Sequence, residues 1–210
     1  MKSIQNNNHF LNTFEKRISE VTGAPYVVLT DSCSNAIFIT IWYLKKIKKI
    51  KFPNKIIIPN RTYISVPNAI FRNGLKPVFK KIKWFSRYRI GTLPIWDCAV
   101  GFEKNMYIKK QYMCLSFQQK KAIGIGKGGA ILLDNKKDYL FLKRLVHDGR
   151  DSGIPVSKDT NIIYGFHMNM TPDQAAKGIL LLNQYVFADR DLGSYKNYPK
   201  LRKICEKNYK

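Results

Sequence analysis

Short apolar segments alternating with helical ones constrain this chain more than any other feature of its sequence. Phe10, Leu11, Phe14, Ile18 and Val21 recur at helical spacing. After the Gly23–Pro25 break, Tyr26–Leu29 reads as a short buried strand, and Asp31 or Ser32 caps a helix running to about Ile47. Strand-like Lys55–Ile58 and Val78–Ile82 flank a helix over Val66–Phe71, with Pro67 in its first turn. A short basic stretch follows, then strands over Pro94–Ala99, Tyr112–Phe117 and Gly128–Leu133. Lys136–His147 is helical, Ser152–Asn161 is a polar loop, and Thr171-Pro172-Asp173 opens a helix over Asp173–Val186. This alternation predicts an α/β, three-layer domain on a largely parallel sheet. The domain spans 1–188, and a polar tail over 189–210 is helical only in Leu201–Asn208. In such sheets ligands bind at the carboxyl ends of strands, beside helix N-termini, so the residues just after each strand carry the functional argument.

With 45% hydrophobic and 13% aromatic residues, the chain can bury a core for one domain, which excludes disorder over most of its length. Its apolar runs, such as Ala36–Leu44 and Ile179–Leu182, are too short to cross a bilayer. Met1–Asn8 lacks the apolar region of a secretory signal, so a cytoplasmic protein is expected. Cys33, Cys98, Cys114 and Cys205 are widely spaced without a CxxC pair, which suits reduced thiols and gives no metal-ligand pattern. The formal charge of +23 raises the question of nucleic acid. The lysine pairs, however, are scattered along the chain at the ends of apolar segments, and no basic arm, aromatic RNA-binding motif or zinc finger organises them. A solvated surface explains the charge better, and the field also favours a small anionic ligand.

The segment from Ser116 to Gly129 is the most informative. Gly124, Gly126 and Gly129 satisfy the dinucleotide spacing, but Ala130-Ile131-Leu132-Leu133 follows as a strand where that site needs a helix. Gly126-Lys127 is not a Walker loop, because Gly128 stands where a magnesium-binding hydroxyl is required. A strand end carrying Ser116, a lysine five residues on and a tight glycine turn instead suit a Schiff-base lysine beside a phosphate-binding hydroxyl.

Here the chain resembles the DegT/DnrJ-type sugar-nucleotide aminotransferases, pyridoxal 5′-phosphate enzymes of fold type I. Their signature runs Ser-Phe, three residues, the cofactor-bearing Lys, then a Gly-x-Gly-Gly turn. The resemblance places Ser116 at the cofactor phosphate and Lys121 at the Schiff base, with Lys120 as a neighbour that could be mistaken for it. Lys127 departs from the family's usual Glu in the glycine turn. Tyr26–Ala36 is similar to the first strand and the Ser-Gly-Thr phosphate loop, with Cys33 and Ser34 in the Gly and Thr places. Read alone, Ser32–Asn35 is an ordinary helix cap; within the resemblance, the backbone N–H groups of Ser34 and Asn35 hold the phosphate. Pro59–Tyr63 leads into a strand–helix–strand unit in which Tyr63 is the candidate for stacking on the pyridine ring, or else a core tyrosine.

Ile95-Trp96-Asp97-Cys98-Ala99-Val100 resembles the family's Glu-Asp-Ala-Ala-Gln strand end, so Asp97 falls where a carboxylate pairs with the pyridinium nitrogen. Val100 replaces the polar residue that contacts the ring hydroxyl. Lys143–Gly149 and Gly165–Gly178 continue the likeness; His147 and His167 read as structural, and Gln174-Ala175-Ala176 as a close-packing helix face suited to a dimer interface.

The resemblance runs from about Phe14 to Asn183 and corresponds to a reduced large domain. Only a short link joins Val78–Phe79 to Ile95–Asp97, and the chain stops where the family's small domain would begin. What the resemblance implies is a homodimeric transaminase for surface-glycan synthesis. It would take nitrogen from a donor such as glutamate and pass it to a keto-sugar nucleotide. The alternative is a catalytically degenerate relative that binds an anionic partner through its positive surface.

Overall fold

The computed structural model describes residues 2–187 and 193–201. Helix α1 (Lys2–Thr22) leads into strand β1 (Tyr26–Thr30) and helix α2 (Cys33–Lys46). Strand β2 (Lys55–Pro59), helix α3 (Ser65–Arg72) and strand β3 (Lys76–Lys80) form a β-α-β unit. Strands β4 (Tyr88–Arg89), β5 (Ile95–Cys98), β6 (Tyr112–Ser116) and β7 (Gly129–Leu133) follow, then helices α4 (Lys136–Leu145) and α5 (Pro172–Gln184). The caps have the chemistry their residues suggest. Ser32 Oγ accepts the Asn35 N–H, and Thr171 and Gln174 form a reciprocal capping box at the start of α5.

Five strands form one sheet in the order β1-β7-β6-β5-β4, and β2 and β3 pair separately. Only β5/β6 and β2/β3 run parallel; β1/β7, β6/β7 and β4/β5 are antiparallel. The expected largely parallel sheet is therefore a mixed one. The reason lies in the connections. A parallel return needs a crossover, commonly a helix, whereas β6 reaches β7 through the 117–128 loop and β4 reaches β5 through the 90–94 turn, so each chain doubles back on its neighbour.

Three layers do form. Along β6 and β7 the side chains alternate: Cys114, Ile131 and Leu133 join the core under α2 and α3, while Met113, Leu115, Ala130 and Leu132 join the core under α1 and α5. The close packing expected of Ala175 is found within the chain. Ala175 is fully buried within the chain, and the neighbouring Gly178 lies so close to the Phe14 ring that a Cβ there would sit 2.4 Å from it. The small-residue face of α5 is thus occupied by α1, and Gln174 is committed to the cap. Among the described residues, no helix is long and apolar enough to cross a membrane.

The start of the expected polar tail is also structured. Segment 193–201 lies along the 60–61 and 84–86 backbones, with Ser86 N–H donating to Gly193 O (3.1 Å), Tyr195 N–H to Trp84 O (3.2 Å) and Leu201 N–H to Asn60 O (2.8 Å). The helix expected over 201–208 falls, apart from Leu201, outside the described residues, as does Cys205.

Candidate active site

A cavity of about 820 Å³ opens at the N-terminus of α2, on the α2 and α3 face of the sheet. Its walls come from the 32–34 turn, the entry to α3, the β4–β5 hairpin, the end of β6 with its following loop, and segment 193–198. Register brings these pieces together. Asp97 on β5 pairs with Cys114 on β6, so Asp97 shares a face with Cys114 and Ser116, the side toward α2. Ser116 in turn pairs with Gly129 on β7, which abuts the 32–33 backbone. A Cβ at Gly129 would lie 2.4 Å from the Ser32 carbonyl carbon and 2.5 Å from the Cys33 nitrogen. Only a residue without a side chain lets the sheet approach the α2 N-terminus so closely.

The 117–128 loop continues the β6–β7 hairpin through Phe117 N–H to Gly128 O (3.0 Å) and Gln119 N–H to Gly126 O (3.2 Å). Phe117, Ile123 and Ile125 bury themselves in the core under α1 and α5. That anchoring leaves both Lys120 and Lys121 along the cavity, Lys121 half-buried and Lys120 exposed. Among the described residues the Lys121 side chain forms no hydrogen bond or ion pair, although its charge is felt at Asp97. Lys127, which replaces the family's usual Glu, pairs with Asp31 at 3.6 Å and ties the glycine turn to the start of α2.

Asp97 is 6% exposed. Burial pushes its carboxyl above the ordinary range, opposed by hydrogen bonding from Tyr88, by the Ala99 N–H (2.9 Å to Oδ1) and by the Lys121 charge. Ser116, Ser34, Tyr63 and Val100 also line the cavity, Tyr63 as a rim residue that is 59% exposed. Asn35 does not. Its backbone N–H is engaged by Ser32 Oγ at 3.2 Å and its side-chain amide by Asp31 Oδ1 at 2.8 Å, so the helix cap takes the donor that a phosphate would need. Lys121, Asp97, Ser116, Ser34 and Tyr63 thus share one cavity, and Asn35 stands behind its wall.

Several lining residues escape sequence reading. Tyr88 stands directly across from Asp97 in the β4/β5 pair, and Thr62 hydrogen-bonds the Tyr88 hydroxyl. Trp84 packs on Tyr88 and on Tyr198, whose hydroxyl is pushed by burial and by Asp97 up to about 12. β4 is only two residues long, too short for a strand period to mark it in the sequence. His147 and His167 lie elsewhere, joined by a backbone bridge; His167 pairs with Asp148 at 2.9 Å.

Comparison with known proteins gives a consistent answer. The sequence model of the DegT/DnrJ/EryC1/StrS aminotransferase family matches residues 2–86 and 104–187. Lys121, Ser116, Ser34 and Tyr63 fall inside that match, and Tyr88 and Asp97 fall in its gap. Among solved structures the chain is similar to PseC of Helicobacter pylori, an aminotransferase involved in the biosynthesis of pseudoaminic acid (TM-score 0.65, 15% identity, covering 82% of this chain and 57% of that one). It is similar to ColD, a GDP-4-keto-6-deoxymannose-3-dehydratase holding GDP-perosamine (TM-score 0.68, 16% identity, 87% and 64%). It is also similar to NtdA of Bacillus subtilis with bound PMP (TM-score 0.64, 20% identity, 82% and 47%). The chain therefore spans less than two thirds of the length of each. Compared by sequence with curated proteins, it matches none.

Proposed function

The chain belongs to the DegT/DnrJ/EryC1/StrS aminotransferase family, and on that premise we propose that it is a transaminase. It binds pyridoxal 5′-phosphate in the α2 cavity and aminates a keto-sugar nucleotide, taking nitrogen from a donor such as glutamate and working as a homodimer. The observation that carries this reading is the placement of a half-buried amine, Lys121, and a buried carboxylate, Asp97, in one cavity.

The residues present fit the cofactor. A carboxylate sealed from water is costly unless a cation meets it, and a protonated ring nitrogen is such a cation. The amine of Lys121 has no committed partner among the described residues, and the volume lies within the ~300–1,000 Å³ usual for small-ligand sites. When bound, pyridoxal phosphate supplies an aldehyde that takes up amines and a ring that accepts the electron pair released at the donor's α-carbon.

The chain's own residues supply the rest. Lys121 Nζ would hold the cofactor at its aldehyde carbon, and as a free amine it would take up the proton at the donor's α-carbon. Asp97 holds a proton on the ring nitrogen. Ser116 Oγ and the Ser34 N–H bind the phosphate at the positive end of α2. Tyr63 would cover one face of the ring, and Val100 would present an apolar surface to the cavity.

The test is the visible spectrum of the purified protein mixed with pyridoxal phosphate. A band above the free cofactor's, kept in Lys120→Ala and lost in Lys121→Ala, is the expected result. No uptake by the unaltered chain refutes the reading and favours the non-enzymatic alternative, a relative that binds an anionic partner.

A further inference from the structure

Tyr88 belongs to the β4–β5 hairpin, in the gap of the family match, yet it lines the cavity. It is 5% exposed and stands directly across the antiparallel pair from Asp97, an arrangement that puts both side chains on one face of the sheet about 5 Å apart at Cβ. Its hydroxyl shares a hydrogen bond with Thr62 Oγ1, a residue 1% exposed, and of the groups that hold the Asp97 carboxyl down against burial it acts most strongly.

Proton counting fixes the direction of this chain of groups. A phenol has one proton and two partners here, and an ionised carboxylate can only accept. With Asp97 ionised, the Thr62 hydroxyl donates to the Tyr88 oxygen and Tyr88 donates to Asp97. If Asp97 were protonated, the order would reverse and the carboxylate would lose its donor. We propose that Tyr88, oriented by Thr62, is a positioning residue that holds the Asp97 carboxylate ionised and aimed into the cavity. This deepens the reading above, in which Asp97 faces the cofactor's ring nitrogen.

The surroundings leave that task to few groups. Cys33 from α2, Cys114 from β6 and Tyr198 from segment 193–201 all feel the Asp97 charge on its own side of the sheet, and Cys98 feels it from the opposite face of β5. Burial and the Asp97 charge push each of them upward, so they stay neutral near pH 7 and offer Asp97 no cation. Lys121 is the basic side chain that faces Asp97 among the described residues, and it is committed to the cofactor when one is bound. Tyr88 is itself pushed well above the ordinary phenol range, first by burial, so it remains a donor.

The experiment follows the Asp97 carboxyl carbon by ¹³C NMR in the full chain without cofactor, assigned with Asp97→Asn, in the unaltered protein and in Tyr88→Phe. The variant removes the hydroxyl and keeps the ring that packs on Trp84. The Asp97 titration is expected to move to higher pH in Tyr88→Phe. A parallel titration with pyridoxal phosphate should show the acid limb of its affinity moving the same way, with binding about tenfold weaker at its acid end, the worth of one hydrogen bond to a charge. Thr62→Val, which leaves the phenol but removes its orienting partner, should give a smaller movement of the same sign and stands in if Tyr88→Phe does not fold. An Asp97 titration unchanged in both variants overturns the proposal whatever the cofactor does. A titration that moves in a protein that takes up no cofactor keeps the role of Tyr88 and sinks the cofactor reading instead.

Discussion

Replacing Gly129 by Ala tests whether the site is built by the close approach of β7 to the α2 N-terminus. The new Cβ would lie 2.4 Å from the Ser32 carbonyl carbon, 2.5 Å from the Cys33 nitrogen and 2.8 Å from the Ser32 oxygen. It falls roughly 1 Å short of ordinary contact, and every atom it meets is backbone, so no side-chain rotation relieves it. Overpacking costs about 1–3 kcal/mol where side chains can shift, and the upper end applies here. For a domain of this size that is a fall in Tm of about 6–12 °C. Gly153→Ala is the control, because its Cβ would meet only the Asp151 carboxylate oxygen at 3.2 Å; it should change Tm by less than ~2 °C. Thermal unfolding followed by circular dichroism gives both numbers, and pyridoxal phosphate titration should show the larger loss of affinity in Gly129→Ala. Equal, small changes in the two variants would refute the packing argument and with it the reason that Ser116 and Ser34 share a cavity.

Asp138 accepts hydrogen bonds from Tyr43 (2.8 Å) and Tyr112 and pairs with Lys48 at 2.9 Å, joining α2, β6 and α4. Burial alone would raise its carboxyl, but Lys48, Tyr112 and Tyr43 hold it below the ordinary range. A carboxyl lowered in the fold contributes stability above its unfolded value and loses it as pH falls through the folded one. Asp138→Asn should therefore cost about 1–3 kcal/mol at pH 7 by urea unfolding, and the difference should shrink as acid protonates the folded carboxyl. Arg61→Ala removes the Nη1 donor to the Tyr198 carbonyl (2.8 Å) that pins segment 193–201. Trypsin should then cut at Lys196 and Lys200 several-fold faster than in the unaltered chain, while cutting elsewhere stays constant.

The elements that periodicity revealed are those whose burial is one-sided or complete over several residues. α2 was legible because Ser32 precedes an apolar run, and β7 because Ala130–Leu133 has nowhere polar to face. β4 was hidden because two residues carry no period, and its ladder to β5 depends on a partner strand seven residues away. Strand direction was hidden too. The sequence offers an apolar segment to the core, but whether it runs with or against its neighbour depends on where the connecting loop crosses. For the site, the resemblance singled out Lys121, Asp97 and Ser116 from short motifs ordered along the chain, and the fold brings the three to one cavity. For Asn35 the sequence offered two uses of one donor, a phosphate and the helix's own cap, and the structure has Asn35 N–H donating to Ser32 Oγ. The contribution of Asn197 and Tyr198 to the cavity wall was invisible, since nothing local in a polar segment indicates that Trp84 will stack on it.

Asp97 lies in the gap of the family match, so its placement rests on strand register, and register here is enforced by cost. A shift of one residue exchanges the faces of a strand. On β5 it would put Asp97 among Met113, Leu115 and Leu132, in the core closed by α1 and α5, and turn Trp96 or Cys98 into the cavity. An ionised carboxylate in that core would cost several kcal/mol, a large part of a domain's whole stability. The double exchange Asp97→Cys with Cys98→Asp reproduces the slip without altering composition. It should abolish the cooperative thermal transition expected of the unaltered chain, whereas Asp97→Asn alone should unfold cooperatively, because an amide at 97 still accepts the Ala99 N–H and packs in the same space. A double variant that melts as sharply and as high as Asp97→Asn would mean that the two faces of β5 are not distinguished by burial. Register could then not be what holds Asp97 opposite Tyr88 and beside Lys121.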